Sequence, residues 1–324
     1  MQIHEIALSL CHGIGAQTAK KLLNEIGEAE AIFAESKEAI QKIKGIATGV
    51  WGFLHAQSTF QLAEKELAIM NENGIESIFY TAANFPQRLK ECNDSPILLF
   101  KKGTMDLNMP KTIAIVGTRR ASRYGIEQTH QLIGELQHDG VAILSGLAYG
   151  IDTQAHLSAL DYHLPTACIL GHGFDHIYPP ENTNLAHRIL EEEGAWISEY
   201  PWHTPVLPGL FPRRNRIVAG LSDAVVVIEA SNKGGALITA RIANSYNRDV
   251  FAIPGRNNEY YSQGCNSLIK QNQAVLLQNA NDIRDYMQWE LYQTPNNSKK
   301  RNLHTQLTLE QNAILENIRL GCEK

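Results

Sequence analysis

Apolar residues recur along this chain with two different periods. Between residues 3 and about 70 the spacing is helical. Ile3, Ile6, Ala7 and Leu10 share one face, and Gly13-Ile14-Gly15 makes a tight turn into a second helical stretch, Ala16–Ile26. From Phe79 the pattern changes to a loop, a short helix and a strand. Thr104–Lys111 is a polar joint. Short apolar runs then follow at Thr112–Val116, Val141–Leu144, Thr166–Leu170, Trp196–Glu199, Ala224–Ile228 and Asp249–Ala252. Helical stretches alternate with them: Tyr124–His138, Asp152–Leu160, Asn184–Glu193, Arg214–Leu221 and Ala236–Asn247. Two more helices, Gly264–Lys270 and Asn281–Trp289, flank a short strand at Ala274–Leu276. The polar segment Gln293–Asn302 reads as a linker, and Leu307–Leu320 as a single amphipathic helix.

Strand, small-residue turn, helix, strand is the opening of an α/β fold with a doubly wound, mostly parallel sheet. In such sheets ligands lie outside the carboxyl ends of the strands. The chain of 324 residues divides on this reading into a helical segment 1–75, a sheet-bearing segment 76–290 and a tail 291–324.

Composition narrows the class. Residues are 44% hydrophobic and 19% charged, as in ordinary globular proteins, with a net charge of -5. That excludes a wholly basic nucleic-acid coat but leaves room for a local basic groove. The cysteines (Cys11, Cys92, Cys168, Cys265, Cys322) form no CxxC pair, so reduced thiols without a metal are expected. The N-terminus lacks a signal-peptide pattern and no run is long enough to span a membrane, so a cytoplasmic protein is expected.

Candidate chemistry gathers at the strand ends. The turn Gly117-Thr118-Arg119-Arg120-Ala121-Ser122 offers N–H groups at a helix start, with two arginines beside them. It is neither a GxGxxG fingerprint nor a P-loop. Ser145-Gly146 closes the next strand, ahead of Asp152, placed as a helix N-cap, and of His156, read as a packed residue rather than a catalyst. Phe211-Pro212-Arg213-Arg214-Asn215-Arg216 puts three arginines within four positions. Arginine forks suit phosphate oxygens, and Phe211 offers a face for base stacking. Lys233-Gly234-Gly235 opens another helix, with Arg241 further along. No nucleophile is matched with a base, and no metal-ligand cluster is visible. Near the N-terminus, the Gly13–Gly15 turn, followed by Lys20 and Lys21, has the helix-hairpin-helix pattern, with a degenerate second copy at Lys44–Gly49. Such turns bind DNA phosphate through backbone N–H groups; a small bundle with glycine C-caps fits the same residues.

Together these stretches resemble the DprA/Smf (DNA-processing protein A) family. The matching segments are FPQRLKECNDSPILLFKKG, IAIVGTRRASRYG, LSGLAYGIDTQAH, LGHGFDHIYPPEN, SEYP, FPRRNRIVAGLSDAVVVIEA, KGGALITARIA, DVFAIPG and SQGCNSLIK, over about residues 80–276. The resemblance implies an extended Rossmann-like fold that binds single-stranded DNA and forms homodimers. It implies protection of incoming strands and loading of the RecA recombinase in natural transformation, without enzymatic activity or cofactor. Gly117, Thr118 and Arg119 then form the phosphate-binding turn, and the FPRRNR segment lines the same pocket. Residues 1–75 match the helix-hairpin-helix or sterile-alpha-motif-like domain of such proteins, and the tail a shortened winged-helix domain. An enzymatic alternative is the cytokinin-activating phosphoribohydrolases, similar in fold, with their PGGxGTxxE motif. The glutamate of that motif is missing here, whether Arg241 or Ile242 is aligned to it.

Overall fold

The computed structural model describes residues 2–289. Six helices come first: α1 (Gln2–Leu10), α2 (Ala16–Ile26), α3 (Ala29–Ala34), α4 (Lys37–Lys42), α5 (Val50–Leu54) and α6 (Gln57–Asn73). Gly74, in the left-handed region at φ 63°, ends α6 and turns the chain directly into β1 (Ile75–Phe79). Then come α7 (Gln87–Lys90), β2 (Leu98–Gly103), β3 (Lys111–Val116), α8 (Arg123–Glu135), β4 (Val141–Ser145), α9 (Ile151–Asp161) and β5 (Thr166–Ile169). A 3₁₀ turn, Pro180–Asn182, precedes α10 (Thr183–Glu191), β6 (Ala195–Ser198), α11 (Leu210–Leu221), β7 (Ala224–Val227) and α12 (Gly235–Ser245). The described chain closes with β8 (Asp249–Ala252), α13 (Gln263–Lys270), β9 (Val275–Leu276) and α14 (Ala280–Met287). The linker and amphipathic helix expected beyond residue 290 lie outside the described residues.

The sheet has nine strands in the order β1-β2-β6-β5-β4-β3-β7-β8-β9. β1–β2 and β2–β6 pair antiparallel; every other pair is parallel. The α/β class and the mostly parallel, Rossmann-like winding are therefore as the alternating pattern predicts. β1 is not foreseen by that pattern: it is an edge strand five residues long, with one glycine separating it from a 17-residue helix. From β3 the chain winds one way through β4, β5 and β6, then returns to the other side of β3 for β7, β8 and β9. The carboxyl end of β3 is thus the point where the winding reverses, and a crevice opens there.

Alternation along the strands loads the two faces with different partners. Ala114, Val116, Val225 and Val227 face a cluster containing Ile217 and Val218 of α11, Leu237 and Ala240 of α12, and Leu268 of α13. Ile113, Ile115, Val226 and Phe251 face Leu132 and Ile133 of α8, Ala155 of α9 and Ile283 of α14. A third cluster joins Ile6, Leu22, Ile32, Ile40 and Leu54 of the N-terminal helices to Phe79, Leu98, Phe100 and Trp196 of the strands. The hydrophobic interior therefore runs from the first helices into the sheet without a polar break.

Two helix starts differ from the pattern. α11 begins at Leu210, not Arg214, so Pro212 sits within its first turn, where a missing N–H breaks no helical bond. α9 begins at Ile151 with Gly150 as N-cap, so Asp152 is inside the first turn rather than at the cap. Its carboxylate instead reaches back to accept the N–H groups of Gly146 (3.2 Å) and Ala148 (3.4 Å).

Candidate nucleic-acid interface

Four helices, α8, α9, α11 and α12, start at the crevice edge, and their N-termini are not chemically equivalent. α8 is capped by Ser122, whose Oγ accepts the Gly125 N–H at 3.1 Å. Buried Glu229 then takes the Ser122 N–H (2.9 Å) and the Ser122 Oγ–H (2.5 Å) on its carboxylate. That carboxylate lies so close over the first turn that a Cβ at Gly125 would stand 2.4 Å from it. The positive end of α8 is already filled by a negative side chain. α9 carries Asp152 in its first turn and is filled likewise. α12 is different: it starts from extended Gly234 with no side-chain cap, and Gly234, Gly235 and Ala236 line the crevice. The N-terminus of α11 is also without a side-chain cap, but Pro212 in its first turn has no N–H to offer, so the fuller open anion seat is at α12.

Part of the Gly117–Ser122 turn, read as an N–H cradle, is already engaged within the protein. The Thr118 N–H goes to the Glu229 carbonyl at 2.7 Å, and the Arg120 N–H to Thr118 Oγ1 at 3.2 Å. Ser122 is committed to Glu229, which leaves the N–H groups of Arg119 and Ala121 unpaired. Gly117 is needed because Ile151 packs on it, at 2.4 Å from where a Cβ would be. Gly150, at φ 76°, leaves room for the Thr118 carbonyl, which accepts the Ile151 N–H at 3.2 Å. The turn is a rim that projects Arg119 and, among the described residues, keeps the N–H groups of Arg119 and Ala121 without a hydrogen bond.

The crevice has a volume of about 570 Å³. Gly117, Arg119, Gly146, Phe211, Arg214, Asn215, Gly234 and Gly235 all line it, so those expected residues do meet. Exposed Arg119 lies over the Phe211 ring, 5.6 Å from its centroid, a cation–π contact. Tyr178 tilts against the same ring at 5.7 Å. Tyr178, Val206, Pro208 and Ile238 add apolar wall that the motif reading did not single out. Tyr178 was legible only as part of the YPPEN stretch.

The arginines of α11 separate by angle around the helix. Arg214 is buried, with Nη1 donating to the carbonyls of Gly146 (2.7 Å) and Ile169. Gly146 is obligatory for that approach, since a Cβ would meet the guanidinium at 2.4 Å. Burial pushes the Asp152 carboxyl up from the carboxylate range while Arg214 opposes the shift; burial pulls Arg214 down and Asp152 opposes that. Arg214 is thus the positive floor of the crevice, with Nη1 held by backbone carbonyls and its buried Nε without a partner. Arg216 turns away to Glu199 and to the Asp94 carbonyl (2.7 Å). Arg213, Lys233 and Arg241 are exposed but do not line the crevice. Ser145 is fully buried, its Oγ donating to the Ile115 carbonyl at 2.6 Å. Ser122, Ser145, Arg214 and Arg216, expected as ligand contacts, each hold an intramolecular partner in this structure, one that sequence spacing does not reveal.

His156 is buried, hydrogen-bonded to Thr166 Oγ1 at 2.7 Å and pushed down to about 3 by burial and by Arg214, so it stays neutral. Near the N-terminus, half-buried Lys20 donates to Ser95 Oγ at 2.6 Å and lies over Tyr80. Cys11, Cys92, Cys168 and Cys265 are buried free thiols; Cys322 lies outside the described residues. No group of side chains suited to a metal ion occurs among the described residues.

Residues 76–288 match the family described as DNA recombination-mediator protein A. The chain belongs to this family. It is 34% identical to Protein Smf of Synechocystis over 284 residues, covering 85% of this chain and 70% of that one. It is 39% identical to DNA processing protein DprA of Bacillus subtilis, covering 67% of this chain and 73% of the relative. Among solved structures, DprA of Streptococcus pneumoniae superposes with a TM-score of 0.72 at 31% identity, over 90% of this chain and 99% of that one. DprA of Helicobacter pylori, whose structure addresses its single-stranded DNA binding mode, superposes at 0.60 with 32% identity, over 66% and 95% of the two chains. The DprA/Smf resemblance drawn from the motifs is thereby established, and the Rossmann-like fold with it. No helix among the described residues is long and apolar enough to cross a membrane.

Proposed function

We propose that this chain binds single-stranded DNA in the crevice at the end of β3, without reading sequence and without metal or nucleotide. The observation that carries the reading is the uncapped N-terminus of α12 facing exposed Arg119 across an aromatic wall. A phosphate placed there meets helix N–H groups and a guanidinium fork, while Phe211 and Tyr178 offer ring faces to bases. Duplex DNA keeps its bases stacked inside and gains nothing from those rings. The single-stranded DNA binding of the Helicobacter relative supports the same assignment. The role follows the family: protection of incoming strands in the cytoplasm during transformation, as a homodimer that hands the strand to RecA, with no catalytic step.

The test is titration of single-stranded and blunt duplex oligonucleotides at several salt concentrations. Preference for the single strand is expected, with affinity falling steeply as salt rises. Equal affinities at moderate salt, or a flat salt response, overturn the proposal. Release of free base from nucleoside monophosphates would favour the phosphoribohydrolase alternative instead.

A further inference from the structure

A second cleft, of about 710 Å³, opens on the other side of the Gly117–Ser122 rim, between the start of α8 and the loop joining β8 to α13. Its walls are Tyr124, Tyr261 and Pro254, with Arg256 and Glu259 beside them and Glu229 beneath. The Tyr124 hydroxyl donates to the Pro254 carbonyl at 2.9 Å, which fixes that ring as a wall. Tyr260, 61% exposed, meets Tyr261 edge-on with centroids 5.1 Å apart. Arg256 is exposed and, among the described residues, makes no side-chain hydrogen bond or ion pair, and the same holds for Arg120 on the rim between the two clefts.

The charges decide what enters. Glu229 is buried and already holds Ser122, and Glu259 adds a second carboxylate, so the interior repels a phosphate. A flat neutral ring is welcome between tyrosine faces, while the unpaired guanidinium groups of Arg256 and Arg120 stand outside to take backbone charge. The first crevice has the inverse arrangement, an anion seat with aromatic rings at its wall. We propose that the second cleft takes a nucleobase of the same single strand whose phosphate sits at α12, the strand crossing the rim over Arg120. This rests on the proposed function of the first crevice.

The test uses the full chain with oligothymidylates of about 4 and about 16 nucleotides, the range of site sizes in single-strand binders. Tyr261→Ala is expected to weaken the long oligonucleotide about tenfold and the short one hardly at all. Tyr261→Phe keeps the parent affinity, since the ring and not the hydroxyl does the stacking. An oligonucleotide carrying 5-iodouracil should photocrosslink to the peptide containing Tyr260 and Tyr261 in the parent, independently of any variant's folding. If Tyr261→Ala binds both lengths like the parent and crosslinks map only to Phe211 and Tyr178, the second subsite is refuted and the first crevice stands. If no single strand binds at all, both readings fall. If thymidine monophosphate alone binds as tightly as the long strand and is equally weakened by Tyr261→Ala, the cleft is a mononucleotide site and the strand path is wrong. A change in oligomeric state with DNA affinity intact assigns the cleft to a protein contact and likewise overturns the proposal.

Discussion

Arg119→Ala and Arg214→Ala lie in one crevice and should fail in opposite ways. Arg119 is exposed, and its described contact is with the Phe211 ring at 5.6 Å. Removing it forfeits an exposed cation–π contact, about 0.5–1 kcal/mol of stability. On the ligand side it forfeits a charge-assisted hydrogen bond to phosphate, about 1.5–3 kcal/mol. That is about ten- to hundredfold in affinity. Arg214 is 4% exposed and satisfies two carbonyls beside Asp152. Truncating it orphans the buried Gly146 and Ile169 carbonyls, at a cost of about 1–3 kcal/mol each. That is a large share of the total for most domains. Fluorescence anisotropy with a labelled oligothymidylate and urea unfolding, run on both variants, separate the two effects. Arg119→Ala should bind weakly and unfold near the parent midpoint; Arg119→Lys should recover part of the binding, keeping charge but not the fork. Arg214→Ala should unfold much earlier. Arg188, on α10 and paired with Glu192 away from the crevice, is the control whose alanine variant changes neither property. The division of roles is refuted if Arg214→Ala loses binding at parent stability, or if Arg119→Ala binds like the parent.

Gly146→Ala should destabilise about as a tight overpacking change does, by about 1–3 kcal/mol, because its methyl falls on the Arg214 guanidinium; a urea midpoint equal to the parent's would contradict the contact. Stability should fall with acid through His156. Its folded pKa, about 3, is below the ordinary value near 6.5, so the stabilisation is complete above 6.5 and shrinks as pH drops toward 3, by about 2 kcal/mol at pH 5. The raised carboxyls of Asp152 and Glu199 oppose that trend, so the diagnostic quantity is the slope lost in His156→Phe, read by urea unfolding at pH 7 and 5. EDTA should leave oligonucleotide binding unchanged; its loss would require a metal site beyond the described residues. Log affinity should fall by about 0.7 per phosphate neutralised for each decade of salt, and Arg119→Ala should lower that slope.

The alternation of apolar runs and helical stretches was enough to place the parallel strands, since strands buried on both faces leave uninterrupted Val/Ile/Ala segments such as Ala224–Val227. β1 escaped because an edge strand ending a long helix has no such run. At the site, glycine pairs and arginines marked the right edge of the sheet. What they did not mark was partnership. Glu229 stands 107 residues from Ser122, and nothing near either position announces that this carboxylate occupies the α8 terminus and shifts the open anion seat to α12. The rotation of Arg213, Arg214 and Arg216 likewise depends on α11 starting at Leu210. Arg284, which reads as a solvated charge, is held against Asp139 at 2.9 Å and the Glu135 carbonyl.

The family match starts at residue 76, one position into β1, yet the apolar cluster that holds Phe79, Leu98, Phe100 and Trp196 continues into α1 through α5. The border of the family match and the border of solvent exclusion do not coincide here. A chain trimmed at residue 76 would lose the helical half of that cluster and uncover the side of β2 against which α1 packs. Such a surface invites self-association. In this protein the helices ahead of the match serve as solvent shielding for the sheet, whatever else they touch, and they belong in any fragment meant to stay dispersed in water.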